Sequence, residues 1–152
     1  MALTPTDKAS LAAALERAIP SSLDDIVRRN RDRARIGLAT EEDLRELEAT
    51  IGPLPPKDTI NGWHMIAIQL SDGDGTVTAV YLLGRTRSTP WITSKLTGLD
   101  RAARRVRTHS GSIYELGTPA SGEPDAGLLL HICAALWQWG LGPMMGAPGI
   151  YY

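Results

Sequence analysis

The segment from Asp125 to Gly140, DAGLLLHICAALWQWG, limits the fold more tightly than any other, because Asp125 offers an N-cap to a helix that is apolar nearly all the way round. Such a helix is stable in water only when other elements cover it on more than one side. The cover has to come from a chain of 152 residues, about one domain and long enough to bury roughly two-thirds of its unfolded surface.

A sheet is the natural cover, and residues 61 to 117 read as one. Ile66, Ile68 and Leu70 alternate with Met65, Ala67 and Gln69, and TVTAVYLLG (Thr76 to Gly84) is rich in β-branched and aromatic residues. Between these runs Gly73, Asp74 and Gly75 tolerate the positive φ of a hairpin turn. The same SDGDG is not a calcium loop, because position twelve from Asp72 is Leu83 where a glutamate is required. Further strands are expected at Trp91 to Leu99, Arg105 to Ser110 and Ser112 to Gly117. Five short strands joined by tight connections predict an antiparallel meander, or a small half-open barrel, under the apolar helix.

The first third of the chain reads as helices. Leu11, Leu15 and Ile19 follow Thr4 and Pro5 at helical spacing, predicting a helix over about 5 to 19 that Pro20 ends. Ser21 or Ser22 caps a second, whose stripe of Leu23, Ile26 and Val27 gives way to RRNRDRAR (Arg28 to Arg35), with Gly37 as its stop. Thr40 caps a third, with Leu44, Leu47 and Ile51 on one face and five acids on the others. Helices of opposite sign suggest a hairpin whose charges satisfy each other; the other readings of the arginine cluster are a phosphate or acidic-protein contact and a mobile arm. The expected organisation is one α+β domain over 1–152: helices over 1–52, a Pro-rich connector over 53–61, an antiparallel sheet over 62–117, a buried helix over 125–140 and an apolar tail over 141–152.

The stretch TSKLTGLDRAARRVRTHSGSIYELGTP resembles a hairpin of small, poorly characterised bacterial proteins, with a TS, a turn, and then V-x-T-x-SGS-x-Y-x-LG. The resemblance implies strand pairing and brings no activity with it. Gly111 permits the tight passage between strands, and Tyr114 and Leu116 point to one face.

Tests for chemistry are negative. HSGSIYELG departs from the G-x-S-x-G nucleophile elbow, and adjacency of His109 to Ser110 puts them on opposite strand faces. His131 and Cys133 lack the spacing of a metal-binding pair, and no glycine-rich phosphate loop is present, so no catalytic residue, metal or cofactor is expected. Charge is more informative. From Thr76 to Tyr114 seven basic residues (Arg85, Arg87, Lys95, Arg101, Arg104, Arg105, Arg107) face one acid, Asp100, in a chain of net charge −1. The apolar anchors Trp91, Met144, Met145, Tyr151 and Tyr152 complete the candidate surface. The expected function is a non-enzymatic adaptor or inhibitor that covers a surface of another protein. The alternative is nucleic-acid binding by the basic hairpin, with Trp91 stacking on a base; an enzyme of unrecognised class is third. The charge asymmetry also suits a homo-oligomer. A single cysteine and a polar N-terminus lead to the expectation of a cytoplasmic protein, and no run reaches membrane-spanning length.

Overall fold

The structure, a computed structural model, describes residues 4–149, with the backbone alone for 12–18. In chain order its elements are α1 (Pro5–Ala18), α2 (Leu23–Ile26), β1 (Ala34–Leu38), α3 (Glu41–Arg45), β2 (Asp58–Asp72), β3 (Gly75–Thr86), β4 (Thr89–Ile92), β5 (Leu96–Asp100), β6 (Arg105–Thr108), β7 (Ile113–Leu116), α4 (Ala126–Gln138) and α5 (Gly142–Met145).

The β2–β3 hairpin is the spine, and its alternation serves two cores. Ile66, Ile68 and Leu83 point to one face, where Leu128, Leu129, Ile132 and Leu136 of α4 meet them together with Leu23 and Ile26 of α2. Met65, Val80 and Leu82 point to the other, against Leu96 and Leu99 of β5, Val106 of β6 and Tyr114 and Leu116 of β7. Period-two patterning therefore gives a spine apolar on both faces, as a strand pair covered on both sides requires. The expected apolar helix forms over Ala126–Gln138, capped by Asp125, whose side chain accepts from the Leu128 N–H at 3.0 Å.

The protein is thus α+β, with an open, mixed sheet of seven strands and a C-terminal helix. The order is β4-β3-β2-β7-β6-β5, with β1 added to β2. Five antiparallel strands describe it only roughly, and four differences have physical causes. First, the arginine-rich stretch after α2 is not helical: Ala34 and Ile36 are buried and Arg35 exposed in β1, a strand alternation hidden by charge. Second, α3 stops at Arg45, and the following residues run along the β5 edge, where Leu47 C=O accepts from Leu99 N–H at 2.7 Å. The acidic and basic stretches consequently do not form a helical hairpin. Third, residues 91 to 99 hold two strands, because Thr93 takes the chain from the edge of β3 to β5. Its N–H donates to Leu82 C=O at 2.9 Å and its hydroxyl accepts from Leu82 N–H at 3.1 Å. Fourth, β2 begins at Asp58, inside the expected connector, and pairs there in parallel with β7, Asp58 opposite Tyr114 and Ile60 opposite Leu116.

The tail beyond α4 docks on the domain as far as Ala147. Met145 is fully buried, and Trp137 Nε1 donates to Ala147 C=O at 3.1 Å. Glycine is required at 142, where a Cβ would lie 2.4 Å from the Trp137 ring. Tyr151 and Tyr152 lie outside the described residues. Among the described residues no helix is long and apolar enough to cross a membrane.

Candidate binding cleft

One edge of β2 carries two different strands, and the site lies where they part. β1 pairs with residues 66 to 70 and β7 with residues 58 to 60. Between them β2 bulges at Gly62, whose φ is 57°, and the register against β3 shifts between Asn61 and His64. The strip around Pro119 bridges the gap, with Trp63 N–H donating to Thr118 C=O at 3.3 Å. Alongside this strip a cleft of about 450 Å³ opens, within the range of about 300–1,000 Å³ typical of ligand pockets.

Its apolar wall comes from separate elements: Leu38 at the end of β1, Leu44 of α3, Trp63 and Met65 of β2, Leu99 of β5 and Leu116 of β7. Met65, Leu99 and Leu116 are buried members of the second core, whereas Leu38 remains 45% exposed. The Trp63 ring is fixed by its Nε1–H, which donates to Gly117 C=O at 3.0 Å. His64 is buried beside it, and desolvation holds its pKa below the ordinary value against the raising effects of Asp125, Glu123 and a backbone hydrogen bond with Gly122.

The rim is charged. Thr40 and Asp43 form a capping box at the start of α3, with Thr40 N–H donating to Asp43 Oδ2 at 2.9 Å and Asp43 N–H to Thr40 Oγ1 at 3.2 Å. This sets Glu41 at the mouth, where Arg101 Nη1 and Nη2 grip its two carboxylate oxygens at 3.1 and 3.0 Å. The guanidinium bonds hold the Glu41 carboxyl below its usual range. Arg101 belongs to the β5–β6 turn, which Asp100 braces by accepting from Ala103 N–H at 3.0 Å and from Ile51 N–H at 2.9 Å. Arg104 in the same turn has φ 57°, a left-handed conformation that glycine or asparagine takes more readily. Its Nε donates to Leu116 C=O at 3.2 Å and its Nη2 to Gly117 C=O, tying the turn to the end of β7.

The seven basic residues of the middle region do not form one open patch. Arg85 pairs bidentately with Asp125 at 2.8 and 2.9 Å, joining β3 to the cap of α4. Arg105 Nη1 donates to the carbonyls of Gly52 and Leu54. Arg107 lies flat across Gly98, where an added Cβ would meet its Nη2 at 2.9 Å, and donates to Thr97. Arg87 is exposed at positive φ in the β3–β4 turn, and Lys95 borders a shallow groove with Asp43 and Glu46. Only Arg101 and Arg104 of the set line the cleft. The apolar anchors are also dispersed: Trp91 is 37% exposed on the edge strand β4 with Lys57 Nζ 6.0 Å from its ring centroid, Met144 is 53% exposed, and Met145 is core. Cys133 is buried in α4 with its thiol pushed up to about 11 by desolvation, so the reactive thiolate is scarce.

Trp63, His64, Leu38 and Glu41 were not singled out by the sequence. The one local signal was Asn61-Gly62 breaking an alternating run, the mark of a bulge. Comparison with family models, with curated proteins and with solved structures finds no match for the chain.

Proposed function

We propose that the protein is a non-enzymatic binding protein, an adaptor or inhibitor, that seats an apolar side chain of a protein partner in the cleft. The observation that carries this reading is the exposure of Leu38 beside a wall of Leu44, Trp63, Met65, Leu99 and Leu116, in a recess rimmed by charge. A buried apolar anchor inside a polar rim is the usual anatomy of a protein-binding hot spot. Within the cleft Arg101 holds Glu41 as a carboxylate, and burial keeps His64 below its ordinary pKa, so the rim presents a fixed ion pair over an apolar wall.

The nucleic-acid reading draws less support, since Arg85, Arg101, Arg104, Arg105 and Arg107 already donate to acceptors within the chain. The test is affinity capture with three baits: the wild-type protein, Leu38→Asp and Trp91→Ala. A discrete protein retained through a salt wash by the wild type and by Trp91→Ala, but lost with Leu38→Asp, supports the cleft as the working surface. Equal retention by Leu38→Asp removes the cleft from the proposal, and nucleic acid released by salt would favour the basic residues instead.

A further inference from the structure

The rim of the cleft contains an ion pair that belongs to no core. Glu41 and Arg101 meet from α3 and the β5–β6 turn, and their side chains are 62% and 43% exposed. An exposed pair of this kind adds little to stability, so its exchange for an equivalent partner disturbs the fold little. Arginine offers a planar fork that fits any carboxylate bidentately, and the turn already holds this one in position. Glu41 therefore occupies a ready carboxylate site.

The apolar wall begins directly beneath that site. Leu99 precedes Arg101 by two residues, near the end of β5, and Leu44 follows Glu41 by three, one helical turn away, with both leucines lining the cleft. With Glu41 displaced, the mouth presents Arg101 and Arg104; the acid that remains near Arg101 is Glu48, whose carboxylate lies 3.9 Å from Nε and outside the cleft lining, leaving the Nη fork to the incoming group. Its complement is an apolar side chain with a carboxylate beside it; a lysine or arginine in that place would meet two guanidinium groups.

Resting on the protein-binding reading above, we infer that the cleft recognises a partner segment in which a large apolar residue adjoins an acidic one, the partner carboxylate replacing Glu41 in the Arg101 fork. Glu41 thereby acts as an internal competitor that keeps the empty cleft closed to weaker or uncharged segments. The inference is tested with the full chain and two N-acetylated, C-amidated peptides, Gly-Leu-Glu-Gly and Gly-Leu-Gln-Gly, followed by NMR titration of the Trp63 indole N–H. The acidic peptide is expected to shift this signal at lower concentration than the neutral one. Glu41→Gln should tighten the acidic peptide about two- to fivefold by releasing the Nη fork of Arg101, with Glu48 still near its Nε. Arg101→Gln should abolish the difference between the peptides, and Arg101→Lys, which keeps the charge and loses the fork, should retain only part of it. Equal shifts by both peptides in the wild type overturn the acidic preference and leave the apolar cleft standing. No shift with either peptide overturns this inference together with the reading on which it rests.

Discussion

Thr93 shows how one side chain directs the chain between two parts of the sheet. It is 2% exposed, and its hydroxyl takes the N–H of Leu82 where β4 has already turned away. Thr93→Val keeps the shape and leaves that buried donor without a partner, which should cost about 1–3 kcal/mol. Thr93→Ser should keep most of the stability; a loss for Thr93→Ser with none for Thr93→Val in urea unfolding would mean that packing of the methyl group matters and the hydrogen bond does not. Arginine at residue scale plays a similar structural part. Arg104, Arg105 and Arg107 donate to carbonyls that strand pairing leaves free, so a charge-rich hairpin becomes an internally bonded one. The motif residues Thr108, Ser110 and Ser112 are likewise explained by the β6–β7 turn, where Thr108 Oγ1 lies 2.9 Å from Ser110 Oγ and accepts from Ser112 N–H at 3.2 Å.

At the scale of elements, the β3–β4 hairpin and the cap of α4 are the places where small changes tell most. The two-residue turn Arg87-Ser88 has φ 50° and 72°, the left-handed pair that Asn-Gly usually supplies. Its composition hid it in the sequence. Arg87→Asn with Ser88→Gly should stabilise the protein by about 1–2 kcal/mol and raise Tm by roughly 2–8 °C, read by calorimetry; a lower Tm would mean that the native side chains make compensating contacts. Asp125 caps α4 and grips Arg85 at once, and the guanidinium bonds lead the causes that bring its pKa down to about 2. A carboxyl whose folded pKa lies below its unfolded value of about 3.9 stabilises the fold above that pH and loses the contribution as pH falls towards 2. Asp125→Asn preserves the cap and removes this acid sensitivity, whereas Asp125→Ala should also cost about 1 kcal/mol at neutral pH through the lost cap. Acid titrations of the variants that coincide with the wild type would show the Arg85 pair to be without effect on stability.

At the scale of the molecule, one spine carries two cores, and the cleft is the seam left where β1 and β7 share its edge. Burial lowers the pKa values of His64 and His131, so both resist protonation in the folded state. Depressed folded values mean that stability is complete above the unfolded histidine pKa of about 6.5 and declines as pH falls through the folded values. The double variant His64→Gln, His131→Gln should flatten the stability profile between about pH 7 and 5; an unchanged slope would assign the acid dependence elsewhere. What the amino-acid order determined alone is what local patterning encodes: the β2–β3 alternation, the Gly73-Asp74 turn and the apolar α4 with its Asp125 cap follow from residues adjacent in the chain. β1 was illegible because Arg35 and its charged neighbours outweigh Ala34 and Ile36 in any local reading, although pairing with β2 buries those two. The parallel β2–β7 pairing and the cleft were decided by tertiary structure. They join residues such as Ile60 with Leu116 and Glu41 with Arg101, and no periodicity within one segment records which distant carbonyl, edge or guanidinium will complete it.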